Sequence, residues 1–404
     1  MWQQIRDNKR KSVTLIFFMA GFLFLIGYVF GEVLRPGNGI IGLFTAFLIW
    51  VILTLISFYK GDSIFLSLSK ARKIRPDDHK VLFNVVEEMK IASGLPKIPD
   101  IYIIDEDAPN AFAVGRNYKN ASIAVTSGLL KMLDRNELQG VIAHEMSHIA
   151  NRDTLYMSVV GIMMGTIILL ADIGTRSLFY GGSRRRTSVS GGGQAQLILF
   201  VVAVILIILA PIIARLIYFA LSRRREYLAD ACAAQFTRFP TGLASALEKI
   251  SHIGLKLSSA SRITAPMYIV NPLKVNAQGL SDLTSTHPPI SERIRILRSM
   301  THADFLGYNK AFKKATGKSD KIISKSNFNS FENIPIIQQP QQIADSSTLL
   351  DRTRDTTDML WKLNQYIFIN CSCGTNLKIP PEYSGMQISC PHCLTQVRVY
   401  KLFF

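Results

Sequence analysis

The sequence is short of acid, short of cysteine, and broken by long stretches that hold no charge at all. Aspartate and glutamate number 29 against 46 lysines and arginines, for a formal net charge of +17. Such an excess suits an anionic partner, either a membrane surface or nucleic acid, and the uncharged stretches favour the membrane. The 5 cysteines do not suggest a disulfide framework. Cys232 stands alone, and Cys371, Cys373, Cys390 and Cys393 have the spacing of metal ligands. A cleavable signal peptide is not evident. The first apolar run is too long for a signal core and lacks a small-residue cleavage site, so it reads as a retained anchor. At 404 residues the chain exceeds one small domain.

The charge-free stretches come in pairs. Ser12–Gly31 and Pro36–Tyr59 are separated by a short turn with Glu32 and Arg35. Each is long enough to cross about 30 Å of hydrocarbon. Arg6, Lys9, Arg10 and Lys11 precede the first, and Lys60, Lys70, Arg72, Lys73 and Arg75 follow the second. Basic flanks on both ends place the N-terminus and residue 60 onward in the cytoplasm. Thr154–Ala171 and Gly191–Ala214 form a second pair, with Arg184, Arg185 and Arg186 in the loop between them. The expectation is four transmembrane helices as two hairpins, with residues 176–195 outside. The three arginines in that loop conflict with the charge rule.

Between the hairpins, residues 76–94 read as an amphipathic helix capped by Asp77 or Asp78 and stopped by Gly94. Ile101–Ile104, Ala111–Gly115 and Ser122–Val125 are strand candidates bounded by Pro, Asn or Asp. Such a small sheet could bind an extended peptide at its edge, or could only support the helix that follows it.

That helix runs through DRNELQGVIAHEMSHIANRD, Asp134 to Asp153. Asp134 and Glu137 form a capping-box pattern. His144 and His148, four residues apart, fall on one helix face and can converge on one ion. Glu145 beside them is placed to take a proton from water. His-Glu-x-x-His is the arrangement of a zinc hydrolase. Glu226 and Asp230 follow on a further predicted helix over 226–256. They can join the first motif only if the chain between crosses the membrane an even number of times. After His287 two prolines start another helix, with Ile290, Ile294 and Leu297 packed down and Arg293 and Arg295 alongside. Residues 306–364 turn polar and read as a flexible linker, in which Leu349–Leu363 is a candidate short helix.

Cys371-x-Cys373 and Cys390-x-x-Cys393 close the chain as two knuckles on a strand-rich stretch. Four thiolates can close a tetrahedral structural zinc site, which a segment too small for its own core needs. Free or redox-active thiols are the other reading.

Four stretches, NAFAVG, HEMSHIANRD, SRRREYLAD and STHPPISER, occur in this order. With membrane hairpins in the gaps, residues 1–305 resemble the HtpX-type membrane zinc metalloproteases, relatives of the CAAX-processing prenyl-protein proteases. The resemblance implies that His144, His148 and Glu226 ligate a catalytic zinc and that Glu145 is the general base. Asp230 would orient a ligand histidine. Asn110, Ala111, Phe112, Ala113, Val114 and Gly115 would form the strand that holds substrate. His287 would stabilise the oxyanion or donate a proton, with Arg293 behind it. It implies an α+β membrane protein, with a mainly helical zincin-like protease domain and a small sheet. The expected divisions are a membrane hairpin at 1–59, a protease domain at 60–305 interrupted at about 154–214, a linker at 306–364 and a zinc ribbon at 365–404. Expected cofactors are two zinc ions, one catalytic and one structural. Expected partners are the lipid bilayer and protein or peptide substrates, with membrane proteins foremost among them and nucleic acid not among them. Quality control of misfolded or damaged membrane proteins is the implied role, in a bacterial inner membrane with the active site facing the cytoplasm. A dedicated precursor-processing protease and a membrane-anchored zinc-ribbon adaptor are the alternatives.

Overall fold

The computed structural model describes residues 2–154, 223–253, 267–270, 288–317, 334–337 and 346–399, with isolated positions at 157, 167, 255 and 257 and scattered ones within 201–212. The second pair of charge-free runs and the loop 176–195 lie almost wholly outside the described residues.

The first pair folds as helices α1 (Trp2–Leu34) and α2 (Gly39–Leu68). Among the described residues these two are long and apolar enough to cross a membrane. Their outward surface is built of large apolar side chains, with Phe17 66%, Ile41 61% and Phe44 58% exposed. Each such side chain left in water forgoes about 1.5–3 kcal/mol of burial, so this surface fits hydrocarbon. The helices meet through glycine. A Cβ on Gly42 would lie 2.1 Å from the Gly27 carbonyl oxygen. Without side chains there, the two backbones can approach closely, as helices in lipid do. The turn is tied by Glu32, whose carboxylate accepts from the Gly37 N–H at 2.8 Å and the Gly39 N–H at 3.1 Å.

Helix α2 does not end with its apolar run at Tyr59. It continues past Lys60 and Asp62, and its last turns carry Phe65 and Leu66 into a buried cluster under a sheet. That sheet has four strands, β1 (Arg72–Lys73), β2 (Asp100–Ile104), β3 (Ala111–Gly115) and β4 (Ala121–Thr126), in the order β1-β2-β4-β3. β2 and β4 are parallel, and the outer pairs are antiparallel. Alternation along β3 sends Ala111 and Ala113 toward the helical core and Phe112 and Val114 toward the end of α2. The sheet therefore joins the membrane helix to the helices of the domain.

Helix α3 (Lys80–Ser93) ends at Gly94, in the left-handed conformation with φ 70°, as predicted. Its cap is His79, not Asp77 or Asp78. The His79 Nδ1 accepts from the Leu82 N–H, and the Asp78 carboxylate instead takes the Arg75 N–H. A short α4 (Ser127–Met132) leads into α5 (Arg135–Ala150), which carries the full capping box of Asp134 and Glu137. The helix expected over 226–256 is two. α6 runs through 223–237, and α7 (Pro240–His252) begins at a proline, which has no N–H to continue the ladder. α8 (Ile290–Arg298) follows the two prolines.

The stretch 306–364 is not a bare linker. It contains α9 (Phe305–Thr316) and α10 (Ser346–Leu363), whose Tyr308, Ala311, Phe312 and Met359 join the main core. Its average polarity hides apolar residues recurring at helical spacing. The chain ends in two hairpins, β5 (Ile367–Asn370) with β6 (Asn376–Ile379) and β7 (Gln387–Ser389) with β8 (Gln396–Arg398).

The glycine contact gives a direct test. Gly42→Val forces the α1 and α2 backbones apart and should cost about 1–3 kcal/mol in thermal unfolding in detergent. Gly21→Ala, where a Cβ meets nothing within 4 Å, should stay within about 0.5 kcal/mol. Equal effects from the two would remove the glycine contact as the packing determinant.

Candidate metal centre

Helix α5 sits deep in the domain because Gly140 lets α7 approach it. A Cβ there would lie 2.7 Å from the backbone nitrogen of Leu243. One turn further on, His144 and His148 present their rings side by side, with centroids 4.9 Å apart and planes at 88°. Glu226 reaches both from α6. Its Oε2 is 3.6 Å from the His144 Nε2, and its Oε1 is 3.6 Å from the His148 Nε2. One ligand atom from each of the three lies within 4.8 Å of the others. Tetrahedral ligands at zinc distances stand about 3.4 Å apart, so the set fits that ion. The His144 Nε2 is buried and has no hydrogen-bond partner among the described residues. A ring nitrogen and a carboxylate oxygen facing each other repel unless a proton or a metal cation lies between them.

The opposite side of the His144 ring is held by a carboxylate. The His144 Nδ1 is 3.0 Å from Asp230 Oδ1. Asp230 in turn receives Arg293 twice, from Nη2 at 2.6 Å and Nε at 2.8 Å. The Arg293 Nη1 also donates to the Ile269 carbonyl at 3.2 Å and stands 3.5 Å from Glu226 Oε2. Arg293 does not ride alongside its helix, as the sequence suggests, but is 0% exposed. Two buried carboxylates offset its desolvation. Burial disfavours the charged form of His144, but Asp230 and Glu226 outweigh it and push its pKa up to about 9. Burial also disfavours the Asp230 carboxylate, yet Arg293 holds its pKa below the ordinary range. Burial raises that of Glu145, against the opposing pull of His144 and His148. A base with a raised pKa is better matched to neutral pH.

Two further residues stand here: Asp153, which the sequence offers either as a support for a ligand or as a cap of the helix end, and Arg225, which it does not single out. Asp153 Oδ2 is 3.5 Å from the His148 Nδ1, and Arg225 Nε is 3.8 Å from Asp153 Oδ1. Both lie inside the motif stretches, HEMSHIANRD and SRRRE, which was the available signal. His287 lies outside the described residues.

Strand β3 is at the sheet edge beside α5. The backbone of Asn110 faces β4, since its carbonyl accepts from the Thr126 N–H. Alternation then turns the backbone N–H and C=O groups of Ala111, Ala113 and Gly115 away from β4. The Ala111 carbonyl accepts from the Ile269 N–H at 2.9 Å, and the Gly115 carbonyl from the Thr154 hydroxyl at 2.7 Å. Phe112 packs edge-on against Tyr268, with ring centroids 5.0 Å apart. At the chain's far end the four cysteine sulfurs lie within 4.8 Å of one another, with Cys371 and Cys393 at 3.4 Å and Cys373 and Cys390 at 3.8 Å. Zinc–thiolate bonds of about 2.3 Å imply sulfurs about 3.8 Å apart.

The family model of "Peptidase family M48" matches residues 76–301, which span β2 to β4, α5, α6 and α8. The chain belongs to peptidase family M48. It is a zinc metalloprotease of the membrane. Among curated relatives it is similar to the "Protease HtpX homolog" of Dictyoglomus thermophilum, 46% identical over 74% of this chain and 94% of that one. The Streptococcus uberis protein of the same description is 37% identical over 74% of this chain and 100% of its own. Among solved structures, the S. mikatae Ste24p crystal structure is similar at 19% identity and a TM-score of 0.41, over 74% of this chain and 67% of that one. The M48 match stops before α9, α10 and the cysteine hairpins.

Removing Arg293 would leave Asp230 and Glu226 buried beside each other without their cation. Arg293→Ala should destabilise the chain by about 3–5 kcal/mol in thermal unfolding. Arg293→Lys should not restore it, because an ammonium cannot give the two-pronged contact. The exposed Arg295→Ala should stay within about 0.5 kcal/mol. A wild-type melting temperature for Arg293→Ala would contradict the buried network.

Proposed function

We propose that this M48 chain is an endopeptidase whose zinc is held by His144, His148 and Glu226. The observation that carries the reading is the convergence of these three donors around the partnerless Nε2 of His144. A bound zinc ion supplies Lewis acidity and makes a ligated water more acidic. Glu145 takes the proton from the attacking water and passes it to the leaving amine. Asp230 keeps the His144 proton on Nδ1 and its lone pair on Nε2, and Arg293 keeps Asp230 ionised. His287 donates to the developing oxyanion; this role rests on its place in the STHPPISER motif.

Substrate backbone pairs with the outer edge of β3. The described contacts occupy that edge at its two ends. Asn110 and Ala111 are tied to the segment 267–270, and Gly115 is tied to Thr154. Ala113 faces the same way between them and is the natural point of pairing. Backbone pairing asks little of side chains, which suits cleavage of misfolded or damaged membrane proteins. The basic flanks of α1 and α2 support a cytoplasmic catalytic face in a bacterial inner membrane. The four tail cysteines hold a second, structural zinc within the ribbon at 365–404, beyond the protease domain.

Glu145→Gln should keep its zinc and lose at least about 10²-fold in the rate of peptide cleavage by detergent-purified protein. Glu226→Ala should lose the labile zinc and all cleavage, and a chelator should abolish wild-type activity. Near-wild-type turnover in Glu145→Gln would overturn the assignment of the base.

A further inference from the structure

Behind each of His144 and His148 stands a carboxylate followed by an arginine. In the first, the Nδ1 faces Asp230, which is gripped by Arg293. In the second, the contacts are longer: the His148 Nδ1 stands 3.5 Å from Asp153 Oδ2, and Asp153 Oδ1 stands 3.8 Å from Arg225 Nε, at ion-pair rather than hydrogen-bond range. Asp153 is 2% and Arg225 4% exposed, so neither serves as a solubilising surface charge. A carboxylate that accepts from the far side of a ligand imidazole fixes its tautomer and ring orientation.

The position of the second pair in the chain adds a consequence. Asp153 follows the turn at 151–152 and opens the next helical segment, immediately before the charge-free run 154–171. Arg225 stands at the start of α6, after the run 191–214. Their contact closes the base of the intervening segment. Neighbouring residues fasten the same base at two further points. Asn151 Nδ2 contacts the Cys232 sulfur on α6 at 3.6 Å, and the Thr154 hydroxyl donates to the Gly115 carbonyl of β3. Arg152 between them takes the left-handed conformation, φ 59°, which turns the chain sharply enough for side chains on both sides to reach separate elements.

We propose that Asp153 is a positioning residue for His148 and that Arg225 positions Asp153, so that the base of the second apolar segment is clamped onto the metal centre. The proposal rests on the reading of His144, His148 and Glu226 as metal ligands. The pair acts on the site through the far side of the His148 ring. Its loss should weaken metal binding and lower kcat while leaving KM nearly unchanged.

The test uses the full chain in detergent, stripped of metal and titrated with Co²⁺ against a competing chelator. The absorption of the nitrogen- and oxygen-ligated site separates from the thiolate bands of the tail. Asp153→Ala should weaken cobalt binding at that site about 10–100-fold, with kcat on an unstructured peptide reduced and KM within about 2-fold. Asp153→Asn fills the same volume and guards against a folding defect. It should show the same direction with a smaller loss. Arg225→Ala should weaken the site, Arg225→Lys should recover part of the loss, and the exposed Arg224→Ala should match wild type. Glu226→Ala run in parallel separates the two readings. If Glu226→Ala also binds cobalt normally, the metal-site reading fails. If Glu226→Ala loses cobalt while Asp153→Asn and Arg225→Ala keep wild-type affinity and kcat, the positioning role alone is overturned.

Discussion

A guanidinium with no access to water is tolerable only if anions surround it, and Arg293 meets that condition with two carboxylates and a carbonyl. Asp230 and Glu226 come from α6, and the Ile269 carbonyl from a different stretch of the chain. The demand to neutralise one buried charge therefore draws α6, α8 and the segment 267–270 onto α5. The same contacts orient His144, because Asp230 accepts from its Nδ1 while Glu226 waits at its Nε2. Stability and site geometry are one network here. Loss of any member leaves another charge buried and unpaired, which costs more than the contact itself is worth.

The network also reaches the membrane. Ile269 is bonded to Ala111 on β3, and its neighbour Tyr268 packs on Phe112 and donates to Ser69 at the end of α2. Arg116, just past β3, stacks over Phe58 and Tyr59 of the same helix. A short run of residues thus connects the end of a membrane helix, the edge strand and the arginine behind the metal site. The catalytic domain does not hang from its anchor on a flexible tether; α2 enters the domain core.

Much of this was legible in the sequence. The capping box of α5, the two imidazoles one turn apart, the first apolar hairpin, three of the sheet strands and the cysteine knuckles all rest on local patterns. The rest depended on contacts between distant parts of the chain. Arg293 looks like a solvent-facing charge within its own helix, and only partners on α6 explain its burial. Asp153 reads equally well as the end of a helix until Arg225 returns beside it. Residues 306–364 are polar on average, and Tyr308 and Met359 acquire meaning only once a core lies beneath them. His79 displaced two aspartates as a helix cap because its Nδ1 reached the third backbone N–H. The break at Pro240 was available in the sequence and outweighed the apolar periodicity around it.

Two imidazoles and one carboxylate, drawn together by a buried arginine network, are the central claim. Zinc K-edge X-ray absorption on the full chain with Cys371, Cys373, Cys390 and Cys393 replaced by serine tests it most directly. The expected spectrum has nitrogen and oxygen neighbours at about 2.0–2.2 Å, the multiple-scattering signature of two imidazoles, and no sulfur. A shell with one imidazole or none, or zinc lost together with the cysteines, would contradict it.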